Sequence, residues 1–266
     1  MHQLYDHPRI LDDPFAVRII GAQGEAEIRT HRWRFDTPLA RHLRAFVTAR
    51  SRVAEEALDL AIARGVRQYV VLGAGLDTFA LRNPYPASLL RIFEVDHPAT
   101  QALKRSRLAA AAIASPEALT FVPVNLETQS LEVALCEAGL RSDTAVFFSW
   151  LGVTMYLARD AVMATLKYVA SSLPQSSAIV FDYLVPPAGL GLVRRLGARA
   201  VMRRVAAAGE PWKAFFEPVA LAAELRALRF TAIEDLGAAD LNARFLADRA
   251  DGLRVAGSGR VMHAQR

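Results

Sequence analysis

The residues best suited to bind a cofactor are Gly73, Gly75 and Asp96. The stretch 69–82, YVVLGAGLDTFALR, is an apolar run that breaks at two glycines and then returns to helix-forming residues. Such an order predicts a strand, a turn and a helix, and it places backbone N–H groups at the carboxyl edge of a parallel sheet, where nucleotide-like cofactors bind. Asp96 closes the next predicted strand about 20 residues later, where a carboxylate can accept hydrogen bonds from both hydroxyls of a ribose.

Thr78 narrows the class of cofactor. A dinucleotide fingerprint has Gly or Ala at this position, which lets the pyrophosphate approach the backbone closely. The pattern therefore favours a nucleoside cofactor without a pyrophosphate. A lone Gly-x-Gly is weak evidence, because glycines after strands often serve only the turn, and a Rossmann-like NAD(P) oxidoreductase stays open as an alternative.

The elements that must position these residues alternate along the chain. Apolar segments at 69–73, 89–96, 119–124, 145–150 and 178–183 are predicted strands, and helical patterns lie between them. Because the apolar runs are continuous, both faces of the sheet must be covered, as in a parallel sheet between helix layers. One or two helices within 38–64 precede the sheet. A helix at 219–228, a strand at 230–236 and a last strand within 253–263, against the sheet edge, complete it.

The length of 266 residues and 53% hydrophobic content predict one domain spanning 1–266. We divide it into a helical cap at 1–64, a cofactor-binding core at 65–185, an insertion at 186–212 and a C-terminal part of the sheet at 213–266. The insertion is glycine-interrupted, amphipathic and rich in arginine.

Composition argues against several classes of function. The net charge of +5 is diffuse and carried almost entirely by arginine, so we expect no nucleic-acid partner. The histidines are scattered and Cys136 is the single cysteine, so we expect no metal site, no disulfide and a core position for Cys136. No apolar run approaches the roughly 20 residues of a spanning helix, and the first residues are too polar for a signal peptide. We expect a soluble, cytoplasmic protein.

Several short motifs occur in an order that resembles one family. They are ARSR at 49–52, LGAGLDT at 72–78, FEVDHP at 93–98, VNL at 124–126 and LGVTMYL at 151–157. Together they resemble the leucine carboxyl methyltransferase-like family of class I S-adenosylmethionine-dependent methyltransferases, which includes bacterial O-methyltransferases of unknown substrate. The similarity runs from about Asp12 into the C-terminal region. It implies an α/β Rossmann-like methyltransferase fold: a mostly parallel seven-stranded sheet with helices on both faces, N-terminal helices and a lid insertion.

The resemblance also implies S-adenosylmethionine as cofactor and assigns roles to single residues. Arg50 matches the arginine that grips the methionine carboxylate, as a guanidinium fork can. The other implied cofactor-binding residues are Gly73, Ala74 and Gly75 under methionine and ribose, Asp77 in the same loop, Asp96 and His97 at the ribose, Asn125 and Leu126 beside the adenine, and Leu151 after the fourth strand. Tyr156 matches the floor between cofactor and substrate and is the tentative substrate-side residue.

Each of these roles has a structural alternative. Arg50 could be a surface arginine, Asp96 a helix cap and Tyr156 a core residue. A capping acid and an ion pair would explain Asp77 and Arg82. Leu151 stands where many relatives carry an acid, which keeps open a methyltransferase-like binding protein without catalysis.

Methyl transfer from a sulfonium to oxygen needs little acid–base help when the acceptor is a carboxylate, whereas a hydroxyl needs a base. The sequence has no His-Asp pair at a telling spacing, and Ser149 lacks the flanking glycine of a nucleophile elbow. The expected acceptor is a carboxylate or a readily ionised hydroxyl of a small molecule. The arginines of 186–212 could hold an acidic substrate, or they could form the solvated face of an amphipathic helix.

Overall fold

The computed structural model describes residues 1–126, 128–186 and 211–266. Its strands are β1 Gln68–Leu72, β2 Arg91–Asp96, β3 Leu119–Pro123, β4 Val146–Trp150, β5 Ala178–Leu184, β6 Ala232–Leu236 and β7 Gly259–Gln265. The predicted insertion at 186–212 lies, apart from its end residues, outside the described part of the chain.

The strands form one seven-stranded sheet in the order β3-β2-β1-β4-β5-β7-β6. β1 to β5 run parallel, and β7 is antiparallel to both β5 and β6. The expectation of a mostly parallel seven-stranded sheet is therefore confirmed. The chain reverses side after β3, so the carboxyl ends of β1 and β4 meet at the crevice where α/β sheets bind ligands.

The last strand was predicted at a sheet edge, and this is wrong. β7 lies inside the sheet between β5 and β6, and it pairs with β5 along its whole length from Ala178↔Gln265 to Leu184↔Gly259. Val261, Met262 and Ala264 are buried, and β7 forms backbone ladders with both β5 and β6, which an edge strand cannot do.

The helices of the described residues are α1 His2–Tyr5, α2 Phe15–Thr30, α3 Arg32–Phe35, α4 Pro38–Ala63, α5 Phe79–Arg82, α6 Pro98–Ala110, α7 Leu131–Glu137, α8 Arg159–Ser171, α9 Pro218–Ala227 and α10 Ala238–Phe245, with a 3-10 helix at Thr154–Tyr156. α4 is a single helix whose N-cap Thr37 accepts a hydrogen bond from the Ala40 N–H. None of these helices is both long and apolar enough to cross a membrane.

Helices cover both faces of the sheet, as the continuous hydrophobicity of the strands predicts. Tyr69 and Val71 of β1 pack into the core beneath α4, while Val70 and Leu72 pack into the core beneath α7, α8 and α9. The alternation of β1 side chains between two cores is the geometric consequence of a strand buried on both faces.

Two further expectations need correction. α10 was not predicted, because its single fully buried residue, Leu241, gives too short an apolar pattern to mark a helix. Cys136 is exposed rather than part of the core, because Leu131 and Leu135 are the residues of α7 that face the sheet.

Candidate functional site

The glycine loop follows β1 at the carboxyl edge of the sheet. Gly73 has φ 64°, and its N–H and that of Ala74 donate to the Val95 carbonyl at 2.8 and 3.1 Å. A Cβ at Gly73 would collide with Cγ2 of Val153. The position therefore requires glycine both for its backbone angle and for the close approach of the loop after β4.

Asp96 ties this loop to the end of β2. Its Oδ2 accepts from the Gly75 N–H at 2.5 Å and its Oδ1 accepts from the His97 N–H at 2.6 Å. His97 in turn caps α6, because its Nδ1 accepts from the Ala99 N–H at 3.2 Å. The Asp96 carboxylate is half-buried and held by two backbone donors at the edge of the sheet.

The end of β3 lies at the same edge. The Val124 N–H donates to the Asp96 carbonyl at 2.8 Å, which brings Asn125 and Leu126 next to Asp96 in the sheet order. The Asn125 N–H donates to Oε1 of Gln129 at 2.9 Å, and Leu126 packs against the core beneath α7. The two residues expected beside an adenine thus lie one strand beyond the residue expected at the ribose.

Arg50 is not a surface residue, because only 16% of its side chain is exposed. Its Nη1 lies 2.5 Å from Oδ2 of Asp182, a fully buried residue of β5. The other carboxylate oxygen of Asp182 accepts from the Gly152 N–H at 2.6 Å. Gly152 has φ 78°, and a Cβ there would lie 2.7 Å from Nη2 of Arg50. Asp182 therefore fixes both the guanidinium and the loop after β4.

Sequence reasoning missed Asp182. The signal that could have found it is an acid within the apolar run AIVFDYL, since a charge in a strand buried on both faces must have a partner. The family resemblance predicts an acid at position 151, where this chain has Leu151. The carboxylate that binds the Gly152 loop in this chain is that of Asp182 in β5.

A buried ion pair supports the glycine loop from below. Nζ of Lys104 lies 2.5 Å from Oε2 of Glu94 and donates to the Asp77 carbonyl at 2.6 Å, and both side chains are 1% exposed. Burial raises the pKa of Glu94 to about 7, with the Lys104 cation acting in the opposite direction. Oε1 of Glu94 is buried without a hydrogen-bond partner. The loop thus depends on a buried pair in which burial favours the protonated, neutral form of Glu94.

Asp77 and Arg82 have the structural contacts that the sequence offered as alternatives. Oδ1 of Asp77 accepts from the Phe79 N–H at 2.8 Å at the start of α5. Arg82 forms a two-pronged ion pair with Glu55 of α4, with Nη1 2.7 Å from Oε2. These contacts account for both residues without a ligand, although both also line the cavity described next.

A cavity of about 710 Å³ opens between the glycine loop and the N-terminal helices, a size typical of small-molecule sites. Six of the predicted site residues line it: Arg50, Gly73, Ala74, Gly75, Asp77 and Leu151. The remaining five, Asp96, His97, Asn125, Leu126 and Tyr156, are not among its lining residues. Tyr156 is half-buried in the 3-10 helix, with its N–H donating to the Val153 carbonyl at 2.9 Å.

Arg50 is a cavity-lining cation that could hold the carboxylate of S-adenosylmethionine. Its Nη1 is bound to Asp182, and in the part of the chain that the structure describes no hydrogen bond takes its Nη2. Among the described residues no group of three metal-ligating side chains is placed to hold an ion.

Comparisons with known proteins identify the family of this chain. Residues 1–170 match the family model of leucine carboxyl methyltransferase. The chain is 34% identical over 216 residues to "Putative S-adenosyl-L-methionine-dependent methyltransferase YktD" of Bacillus subtilis, covering 81% of this chain and 71% of that protein. It is 35% identical over 171 residues to the similarly named SCO7813 of Streptomyces coelicolor, covering 63% of this chain and 54% of that protein, so it spans about half the length of this relative.

The fold also recurs in solved structures. A duf574 family protein from Streptomyces avermitilis superposes with a TM-score of 0.58 at 18% identity, covering 91% of this chain and 88% of that one. Human N-acetylserotonin methyltransferase, solved in complex with SAM, superposes with a TM-score of 0.51 at 12% identity, covering 87% of this chain and 57% of that one. At these identities the likeness concerns the fold alone. The family match and the curated relatives show that the chain belongs to the leucine carboxyl methyltransferase family. It is an S-adenosylmethionine-dependent methyltransferase.

Proposed function

We propose that this protein transfers a methyl group from S-adenosylmethionine to a carboxylate or an acidic hydroxyl of a small molecule. One observation supports the choice of an already ionised oxygen: the histidine of the cavity lining, the residue type that most often acts as a general base, is bound through both ring nitrogens.

Both ring nitrogens of His2 and both carboxylate oxygens of Asp13 are hydrogen-bonded within the protein. Nδ1 of His2 lies 2.9 Å from Oδ2 of Asp6, and Nε2 accepts from the Ile10 N–H at 3.0 Å. Oδ1 of Asp13 accepts from the Phe15 and Ala16 N–H groups at 3.0 and 3.1 Å, and Oδ2 accepts from the Thr78 hydroxyl at 2.5 Å. An acceptor that arrives ionised needs no such base.

The cofactor supplies an electrophilic methyl group on a sulfonium. In our proposal Arg50 binds its carboxylate, the Gly73-to-Gly75 loop lies beneath its methionine and ribose, and Asp96 accepts from the ribose hydroxyls. Asn125 and Leu126 flank the adenine, and Tyr156 is assigned to the substrate side. The protein then contributes mainly position, because an in-line displacement is accelerated by holding donor and acceptor oxygen in a reactive geometry.

Calorimetry with S-adenosylmethionine and S-adenosylhomocysteine tests the cofactor site. We expect Asp96→Ala to weaken binding by about 1–3 kcal/mol, the scale of a lost hydrogen bond to a charged group. Arg50→Lys should weaken binding by a similar amount, because it keeps a cation beside Asp182 but loses the fork. Asp160→Ala, an exposed acid in the first turn of α8, is the matched control. Unchanged affinity in both site variants would refute the assignments.

The acceptor atom is tested by the product. Transfer of labelled methyl to a carboxylate gives an ester that releases methanol in mild alkali, whereas transfer to a hydroxyl gives a stable ether. We expect turnover on a panel of carboxylic acids and phenols and none on their amides or aliphatic alcohols. Cofactor binding without turnover on any member of the panel would instead support a binding protein that has lost catalysis.

A further inference from the structure

The cavity has a second wall, formed by the N-terminal helices, that none of the assigned residues occupies. We call it the helical wall and define it by Leu4, Val17, Ile20, Ile28, Leu43 and Val47. These side chains come from α1, α2 and α4 and are all aliphatic. They share one continuous cavity with Gly73, Gly75, Leu151 and Gly152, which we call the glycine-loop wall. A molecule bound against the helical wall therefore reaches the edge where the methyl donor binds.

The guanidinium next to Leu43 on α4, that of Arg44, offers nothing to a ligand. Every nitrogen of the Arg44 guanidinium has a partner in the protein: Nε donates to Oδ2 of Asp6 at 2.7 Å, Nη2 donates to Oδ1 of Asp36 at 3.1 Å, and Nη1 donates to the Phe35 carbonyl at 3.0 Å. The imidazole of His2 is also bound through both nitrogens, as described above. The Arg44 guanidinium and the His2 imidazole beside this aliphatic surface thus have their hydrogen-bonding groups satisfied within the protein.

One residue of the helical wall is also open to solvent. Leu43 lines the cavity and is 60% exposed. An apolar side chain left in water beside further aliphatic lining offers surface that a ligand can bury. An uncharged apolar group gains free energy by covering these aliphatic side chains, whereas an anionic group would lose hydration against them.

We propose that the helical wall binds the non-reacting body of the methyl acceptor, and that this body is uncharged and apolar, such as an aromatic ring system or an acyl chain. The acceptor then carries its single ionised oxygen at the end that faces the glycine-loop wall. This inference rests on the proposed methyl transfer to oxygen and narrows the class of acceptor. We expect the acceptor to be a monoacid or a phenol with an apolar body, and not a polyacidic metabolite.

Fluorescence titration with two dyes of the same ring system tests the wall directly. N-phenyl-1-naphthylamine is neutral, and 1-anilinonaphthalene-8-sulfonate carries one negative charge on the ring. We expect the neutral dye to bind with one-to-one stoichiometry, at least as tightly as the anionic dye, and to stay bound when S-adenosylhomocysteine is added to saturation. Displacement of the neutral dye by S-adenosylhomocysteine, or its failure to bind, would overturn the proposal.

Variants locate the dye. Leu43→Glu places a charge on the wall at an exposed position that tolerates it, and it should weaken binding of the neutral dye at least fivefold without changing the affinity for S-adenosylhomocysteine. Leu60→Glu is the matched control, because Leu60 lies on the same helix, is 57% exposed and does not line the cavity. Val17→Gln, on α2, should act like Leu43→Glu, with thermal melting as a check on folding.

Equal dye affinity in wild type, Leu43→Glu and Val17→Gln would refute the helical wall as the binding surface. Failure of the proposed methyl transfer looks different. In that case S-adenosylhomocysteine does not bind or no acceptor is methylated, while the dye results still report whether the wall binds apolar molecules.

Discussion

The two walls of the cavity are held in place by different kinds of interaction. In the glycine-loop wall, Asp96 accepts from the Gly75 N–H, 21 residues away, and the loop hydrogen-bonds to the backbone of β2. In the helical wall, α1 is fixed to α4 by side-chain charges, as between Arg44 and Asp6, 38 residues apart. Substitutions in a wall held by backbone hydrogen bonds and glycines would disrupt the fold. Substitutions in a wall held by side-chain contacts could alter which acceptor binds while the glycine-loop wall stays intact.

Arg50 and Asp182 join these two regions, because Arg50 lies on α4 and Asp182 lies in the sheet. Among the substitutions, we expect Asp182→Asn to give the largest loss of stability, about 3 kcal/mol. It removes the counter-charge of a largely buried guanidinium, and the 16% exposure of Arg50 puts the effect at the low end for a broken buried pair. The free energy of unfolding from urea titration measures it.

The control for Asp182→Asn is Asp143→Asn, since Asp143 pairs with Arg141 where both side chains are about two-thirds exposed. Screening by water should make its effect too small to resolve. If the two variants were equally stable, the Arg50–Asp182 pair would not hold α4 against the sheet. The pair would then not be what joins the two walls.

The glycine-loop wall should also respond to pH through Glu94. Its pKa is raised from 4.5 to about 7 by burial, against the opposing effect of Lys104. Between these pH values the folded state holds a proton that the unfolded state has released. The contribution of Glu94 to the free energy of unfolding is therefore fully present below pH 4.5 and lost as pH rises through about 7, by on the order of 1.4 kcal/mol per pH unit.

Glu94→Gln has no such titration. We expect the free energy of unfolding of wild type minus that of Glu94→Gln to fall between pH 5 and pH 7.5 and then to level off. The same difference for Glu137→Gln, at an exposed position of α7, should stay flat. A flat difference for Glu94→Gln would mean that Lys104 keeps the acid ionised throughout, and the loop would rest on a permanently charged pair.

The contrast between the walls explains what could be predicted from the sequence. The strands around the glycine loop are short and apolar, and the residues Gly73, Gly75 and Asp96 lie at their ends, so the parallel strands and the place of the loop at the sheet edge followed from local patterns. Asp182 escaped prediction because its partner Arg50 is 132 residues away. The helical wall escaped for the same reason: Leu4, Val17 and Leu43 lie on three helices whose arrangement no local pattern encodes.

The buried pair between Arg44 and Asp6 fixes the helical wall and should contribute less than the Arg50–Asp182 pair, because Asp6 keeps His2 as a second partner. Burial opposes ionisation of Asp6, but hydrogen bonds from His2 and Arg44 outweigh it and hold the pKa of Asp6 well below its ordinary value. Arg44→Ala removes the second of these partners and should cost about 2 kcal/mol, the scale of a hydrogen bond between charged groups. Because His2 still binds Asp6, α1 should loosen rather than detach, so amide exchange should quicken in residues 1–12 and stay unchanged in β1.

Arg52→Ala, which breaks an exposed pair with Glu56 on the same helix, should leave both regions as they are. Faster exchange in β1 as well would show that the two walls are one cooperative unit, and that the acceptor side cannot vary independently of the cofactor side.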